Sequence, residues 1–426
     1  MPEKCVAILG TLDTKGPEYE YLLGRLRALG LKPVMLDISC RIATDWPAEC
    51  SCHDVAAAAG HAFTALSALN KSEAGKIMVQ GATALLRQME MQGNLDGIMA
   101  MGGANGTLLA CEVMKAFPIG LPKLVVSVMA AGDPRANAGT KDIVLINSVM
   151  DLCLNRVTQK IIDNAAAAMA GMLEASLPAV KRAEKKLVAA SMLGLTQGCV
   201  IGLKEQLEAG DFEVMVFHTN GIGGRALEEQ VLETETCAVL DATINEIGNH
   251  LLGGVFDAGP KRLEAAAAKG IPVVVAPGAV DFVNFWGKNI PARFAQGRSF
   301  IYHNAQNTLM RTSPDENFEI GRQVATKLRG AAKSAVVVPL RGFSGNDRQG
   351  GPRGVHADGT PAELWYNPAA TTAFLAGLKQ AAEPARTSII EVDAHINDRE
   401  FYMRVAEIFR HVADKPALRM GAQAGN

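Results

Sequence analysis

Three loops in the first half of the chain carry the residue types that hold phosphate. The first, Gly10-Thr11-Leu12-Asp13-Thr14-Lys15-Gly16-Pro17, joins the apolar run Val6–Leu9 to a segment with Tyr21, Leu22, Leu26 and Leu29 at helical spacing. A strand ending at glycine, two hydroxyls, a lysine and a helix amino terminus suit an anion, because free N–H groups and the helix dipole favour negative charge. The order Lys15-Gly16 is not the G-x-x-x-x-G-K-[ST] phosphate loop, and Gly10 lacks the partner glycine of a dinucleotide fingerprint. A plain strand–helix connection with proline at the helix start reads these residues too. The second loop, Gly102-Gly103-Ala104-Asn105-Gly106-Thr107, follows "GIMAM" and opens "TLLACEVM". Its glycines let backbone approach a ligand and align N–H groups into an anion nest; the competing reading is a flexible turn capped by Thr107. The third, "VMAAGDPRANAGTKDI", adds Gly132 and Asp133. Loops that follow successive strands of one parallel sheet converge on one edge.

The second half offers different chemistry. In "FHTNGIGGRALEE", Gly221, Gly223 and Ala226 satisfy G-x-G-x-x-[GA], with Gly224 and Arg225 inside the same turn. Asp241 lies about twenty residues on, where a ribose-binding acid belongs, so a nicotinamide oxidoreductase is the rival reading. His218 and His303 stand at strand ends and suit acid–base work, or merely bond a loop. Arg311 suits a carboxylate clamp for a small organic acid. Cys40, Cys50, Cys52 and His53 cluster in "CRIATDWPAECSCHD" without the paired spacing of a zinc site, and no metal site is expected.

The elements that must position these residues alternate between short apolar runs and helical patterns, the signature of an α/β fold with mainly parallel sheets. Expected strands in the first half are "CVAIL", "KPVMLD", "GIMAM", "KLVVSVM" and "DIVLI", followed by a helical stretch from about Ser148 to Glu174. In the second half they are "KLVAASML", "FEVMVFH", "CAVLD", "GGVFD", "IPVVVA", "SFIYH", "AVVVPL" and "TSIIEVDAHIND", before a helix in "DREFYMRVAEIFRHVAD". The polar, proline-led "PAVKRAEKK" divides two strand-first patterns. The expectation is therefore two Rossmann-like lobes facing a cleft: residues 1–180, residues 187–415, and a tail 416–426. The Ala- and Met-rich "NAAAAMAGMLEA" suggests a homodimer, with an interior helix as the alternative.

Composition excludes several classes. The 426 residues carry a net charge of -2, with 48% hydrophobic and only 5% aromatic residues. There is no electrostatic footprint for nucleic acid or an anionic membrane. The start "MPEKCVAILG" shows no signal peptide, and eight cysteines in a chain of this length form no disulfide framework. No apolar window of about 18 residues occurs, so the expected setting is cytoplasmic.

The motifs "GTLDTKGPE", "GGANGT", "AAGDPRANAGTKDI", "NSVMDLCLNR", "VFHTNGIGGRALEE", "HNAQNTLMRT" and "VPLRGFSGND", in this order, resemble an ATP-binding family. It comprises the inhibitor domain of the tomato mosaic virus resistance protein and its bacterial relatives. The resemblance implies ATP, with Mg²⁺, bound by the loops Gly10–Lys15 and Gly102–Thr107. Lys15 would supply charge, and Asp13 or Asp133 would orient a metal-bound water. It also implies a separate TIM-barrel protein as a partner, since such a domain follows this region in the plant protein. An ATP-dependent enzyme acting on a small organic acid and a non-catalytic nucleotide-gated interaction protein both fit. The chain departs from the family pattern at Ala131, where serine is usual, at Asn105, where glycine is, and at Trp286.

Overall fold

A computed structural model describes residues 3–174 and 184–413. The tail and most of "PAVKRAEKK" lie outside these residues. The chain divides into two compact units, Met1–Val180 and Lys181–Asn426.

In the first unit, β1 (Cys5–Gly10), β2 (Lys32–Asp37), β3 (Gly97–Gly102), β4 (Lys123–Ser127) and β5 (Val144–Asn147) form one sheet in the order β2-β1-β3-β4-β5. Every pairing is parallel, with Val6 opposite Pro33 on one side and Gly97 on the other. Both faces are covered, which is why these strands read as continuous apolar runs. The alternation of side chains across a strand sorts them. Ala7 and Leu9 join the core beneath α2 (Cys52–Ala58), α3 (Lys71–Met91) and α4 (Ala104–Lys115). Val6 and Ile8 pack on the other face under α1 (Leu12–Ala28) and α6 (Arg156–Glu174), while α5 (Arg135–Ala138) is a single turn beside α4. Each fully buried leucine, isoleucine or valine here stabilises the unit by roughly 1.5–3 kcal/mol.

The last helix of this unit starts later than its composition suggests. Asn155 caps it, its side-chain oxygen accepting from the N–H groups of Val157 (2.8 Å) and Thr158 (3.1 Å). Residues 148–154 are irregular. The alanine- and methionine-rich face of α6 is spent inside the unit: Ile162, Ala165, Ala166, Met169 and Leu173 are buried against the sheet and α1. One face of the segment that suggested a dimer is therefore buried within the unit, while Asn164, Ala167, Ala168 and Gly171 on its other face are exposed.

The second unit holds a six-stranded parallel sheet in the order β16-β13-β9-β8-β6-β7. Its strands are β6 (Lys186–Met192), β7 (Phe212–His218), β8 (Thr236–Asp241), β9 (Val273–Val275), β13 (Ser334–Pro339) and β16 (Thr387–Val392). One face carries α7 (Gln197–Glu208) and α13 (Arg399–Ala413). The other carries α8 (Ile222–Glu233), α9 (Asn245–Leu252), α10 (Ala265–Lys269), α11 (Pro314–Leu328) and α12 (Pro368–Ala381).

Two features depart from expectation. "GGVFD" is not a strand, because Gly253 (φ 72°) ends α9 in the left-handed region and the following N–H groups are taken up singly. Gly254 donates to the Asn249 carbonyl, Val255 to the Asn284 carbonyl and Phe256 to the Asn249 side chain. The unit also contains an unexpected antiparallel sheet, β10-β12-β11-β14-β15, built from β10 (Phe282–Trp286), β11 (Phe300–Tyr302), β12 (Asn307–Arg311), β14 (Arg353–Val355) and β15 (Pro361–Leu364).

Candidate functional site

Around β1 the strand order reverses. The chain leaves β1 toward the α1 face and leaves β3 toward the α4 face, so a crevice opens beyond the carboxyl ends of these two neighbours. In open α/β sheets of order 2-1-3-4-5 this switch point is where ligands bind. The loops Gly10–Lys15 and Gly102–Thr107 occupy its two sides.

The first loop is largely self-satisfied. The Leu12 N–H donates to Asp37 Oδ1 (3.3 Å) and the Asp13 N–H to Ser39 Oγ (3.2 Å). The Thr14 and Lys15 N–H groups return to the Thr11 carbonyl (3.2 and 3.1 Å). The helix begins at Leu12, ahead of Pro17 where its amino terminus was expected, and its four first-turn donors are committed within the protein. Lys15 breaks the helix (φ −133°, ψ 26°), and its ammonium donates to the Leu152 carbonyl (2.6 Å) and Asp151 Oδ1 (3.2 Å). Gly10 owes its identity to packing: a Cβ there would lie 2.6 Å from the Tyr19 ring. The Tyr19 hydroxyl accepts from the Met101 N–H (2.8 Å) and donates toward the strand-end carbonyls of Leu9 and Met101, tying β1 to β3. Burial holds that hydroxyl above its usual range, so it stays protonated.

The second loop is open where the first is closed. Gly103 caps α4 in an extended conformation, and a Cβ placed on it meets nothing within 4 Å. The N–H groups of Ala104, Asn105 and Gly106 make no hydrogen bond among the described residues, while Thr107 N–H returns to the Gly103 carbonyl (2.9 Å). These orphan donors and the helix dipole make an anion seat. Thr107 is no part of its lining: its buried hydroxyl bonds the Gly102 carbonyl (3.2 Å) and Ser127 Oγ (2.6 Å). The two loops meet at Gly106, where a Cβ would stand 3.6 Å from Thr11 Oγ1.

From Asn105 a groove of about 630 Å³ runs along α4 to Glu112, walled by Lys71, Lys76, Val79, Leu108 and Leu109. The α3 residues of this wall were not legible as site residues, because nothing in their local sequence marks them. Gly132 and Asp133 follow β4, the neighbour of β3. Asp133 is bound by the Arg135 guanidinium, which holds its carboxyl down at about 2. Asp13 differs: burial pushes its carboxyl up, opposed by the Ser39 hydrogen bond and helped by the nearby Asp37 charge.

In the second unit the glycine pattern has an internal role. The N–H groups of Gly221 (2.7 Å) and Gly224 (3.1 Å) both donate to Glu246 Oε1, so the amino terminus of α8 already holds a carboxylate of its own chain. Glu246 and Asp241 are fully buried on Arg262, whose Nε reaches Glu246 Oε2 (2.6 Å) and whose Nη2 reaches Asp241 Oδ1 (2.8 Å). The acid assigned to a ribose is thus an ion-pair partner. A Cβ on Gly223 would lie 1.8 Å from the His218 carbonyl oxygen, which makes that glycine a packing requirement. Arg225 is exposed and turns back to the Gly221 carbonyl (3.4 Å).

Arg311 is turned inward onto the carbonyls of Trp365 (2.8 Å) and Asp281 (2.8 Å) and onto Asp347 Oδ1 (3.2 Å). It holds the fold together where a free clamp was expected. His218 and His303 do come together, in the wall of a cavity of about 470 Å³ that Gly221, Gly223, Gly224, Arg225 and Arg311 do not line. Trp286 meets this cavity only indirectly, through an edge contact with Phe256 (6.1 Å between centroids).

Fold and site together define a two-unit α/β protein whose first unit presents an open helix terminus at the switch point of a parallel sheet. Residues 4–178 match the N-terminal domain, and residues 185–413 the C-terminal domain, of the uncharacterised protein family UPF0261. The chain belongs to that family. A UPF0261 protein of Clostridium tetani is 37% identical over 97% of this chain and 100% of its own length. The ToMV resistance protein Tm-1(GCR237) of Solanum lycopersicum is 32% identical over 97% of this chain, which spans 57% of that longer protein. Among solved structures, a UDP-N-acetylglucosamine 2-epimerase from Rickettsia bellii matches 64% of this chain and 78% of its own, at 9% identity and a TM-score of 0.24. No described helix is long and apolar enough to cross a membrane.

Proposed function

We propose that the first unit binds ATP at the amino terminus of α4. The observation that carries this reading is the set of three unclaimed N–H groups at Ala104, Asn105 and Gly106, at the switch point and beside Thr11. The adjoining groove supports it, since Leu108, Leu109 and Val79 offer apolar surface for a base and Lys71 and Lys76 offer positive charge. Lys15 contributes charge from the other side while anchored to Leu152.

Mg²⁺ fits the same reading through Asp13. Mg²⁺ binds nucleotides through one or two carboxylates plus phosphate oxygens, and when bound it neutralises phosphate charge. The Asp13 carboxyl, half-buried near the Asp37 charge, gains from a nearby cation; Asp133 already has one in Arg135.

Replacing Ala104 by proline tests the seat. Ala104 is the first residue of α4, a position that favours proline, and the extended Gly103 before it (ψ −167°) suits a residue preceding proline. The change removes one N–H and leaves the helix intact. Calorimetry with ATP and Mg²⁺ should show affinity reduced roughly tenfold or more, as for one charge-assisted hydrogen bond. Unchanged affinity would remove α4 from the site.

A further inference from the structure

We infer that the cavity of the second unit is a binding site for a small oxyacid, a carboxylate or phosphate ester on a short carbon skeleton. The cavity of about 470 Å³ lies beyond the carboxyl ends of β6 and β7, roofed by β10 and β12 of the antiparallel sheet. Its polar lining residues are His218, Asn284, His303, Asn304 and Asn307, with Gly194 and Leu195 beside them.

The orientation of these amides is set in series from the backbone. Asn249 Oδ1 accepts from the N–H groups of Asn284 (2.9 Å) and Phe256 (3.3 Å), so its Nδ2 must donate; it donates to the Asn245 carbonyl (3.0 Å) and to Asn284 Oδ1 (3.4 Å). Asn284 Oδ1 is therefore an acceptor, and its Nδ2 donates to Asn307 Oδ1 (3.0 Å). That leaves the Asn307 NH₂ as the unclaimed group on the cavity wall. Asn304 Oδ1 likewise accepts from the N–H groups of Gln306 (2.9 Å) and Asn307 (2.8 Å), which leaves its NH₂. Asn245, Asn249 and Asn284 are completely buried, so the chain of amides is a fixed structure.

The Gly194 and Leu195 N–H groups, following β6 at its own switch point, make no hydrogen bond among the described residues. The wall thus offers donors while its side-chain amide oxygens are used internally, and no carboxylate among the described residues lines it. Such a wall selects an acceptor-only group, and a carboxylate or phosphate is acceptor-only with several lone pairs. The two imidazoles add ring N–H donors. Phe256, Phe282 and Leu309 form the apolar side, which takes a short carbon skeleton. None of these residues belongs to the α4 seat, so this inference stands apart from the nucleotide reading.

The test uses the full chain, with malonate, inorganic phosphate and glycerol as probes, followed by calorimetry and by the imidazole NMR signals of His218 and His303. Malonate or phosphate should bind and shift both imidazoles, and which one binds identifies the oxyanion; glycerol should do neither. Asn307→Asp keeps the oxygen that Asn284 bonds and replaces only the outward NH₂, so oxyanion affinity should fall at least about tenfold. Ala104→Pro should leave these titrations unchanged. Failure of both oxyanions to shift the two histidines in the wild-type chain overturns the inference, whatever the variant does. So do equal binding of glycerol, full binding by a folded Asn307→Asp chain, or loss of binding in Ala104→Pro.

Discussion

A Cβ built on Gly103 meets open space, whereas one on Gly223 would lie 1.8 Å from a backbone carbonyl. Valine at the two positions should therefore separate function from folding. Gly103→Val places a branched side chain over the α4 donors and should cut ATP affinity at least about tenfold with little change in unfolding midpoint. Gly223→Val should cost about 3 kcal/mol or more in a denaturant titration, because the surrounding backbone must move. Equal stabilities would show that the α8 turn is looser than this packing implies. A second residue-scale prediction concerns the buried carboxylates Asp281 and Asp347. Burial, and then the Asp281 charge, push the Asp347 carboxyl up to about 6, although Arg311 opposes this. A carboxyl raised in the folded state holds its proton there after the unfolded chain has lost it. Its contribution to stability is present below pH 4 and lost as pH rises to about 6. Asp281 Oδ1 has no hydrogen-bond partner among the described residues, and Oδ2 accepts from Ser344 (2.8 Å) and Trp365 (2.8 Å), so asparagine can keep both bonds. Asp281→Asn should gain stability relative to wild type between pH 4 and 7, read as the difference in urea midpoints. A difference that does not change with pH would remove the charge coupling.

At the scale of elements, α1 and α4 both follow a glycine at a strand end, and only α4 keeps its first-turn donors free. The difference comes from Asp37 and Ser39, more than twenty residues away in the chain, and no reading of the "GTLDTKGPE" loop alone can contain it. Lys15→Ala should accordingly act on two properties: it removes the anchor to Leu152, lowering the melting temperature, and it weakens ATP binding by an amount that shrinks as salt rises. A salt-independent loss would mean that Lys15 acts through loop geometry. The central strands of the parallel sheets were legible because both faces are buried and their residues are mostly apolar, as in Ile98–Met101. Of the antiparallel sheet only β11 was legible, in "SFIYH": β14 has three residues, and β10 alternates Val283 and Phe285 with the buried Asn284. That asparagine is polar because it orients Asn307. The glycine pattern at Gly221 misled for a related reason, since a helix amino terminus serves a phosphate and an internal glutamate equally well.

At the scale of the molecule, each unit carries a complete interior. The cores on the two faces of the first sheet contain only residues between Val6 and Leu173, and those of the second unit only residues between Val188 and Val412. Both units wind their first strands in the same order, with the second strand at one edge beside the first and the third on the first strand's other side. Each therefore has a switch point of its own, which accounts for two candidate sites with different wall chemistry in one chain. Residues 1–180 contain the α4 seat, Thr11, Lys15 and the α3–α4 groove, so an isolated fragment of that length should fold cooperatively and bind ATP. Residues 181–426 should fold and titrate with the oxyanion that shifts His218 and His303 in the full chain. Circular dichroism through a thermal ramp reads the folding, and calorimetry on each fragment reads the binding. A fragment that unfolds without cooperativity would show that its interior depends on the other unit. If the first fragment folds but no longer binds ATP while the whole chain does, the nucleotide site needs groups from beyond residue 180, and the α4 seat is only part of it.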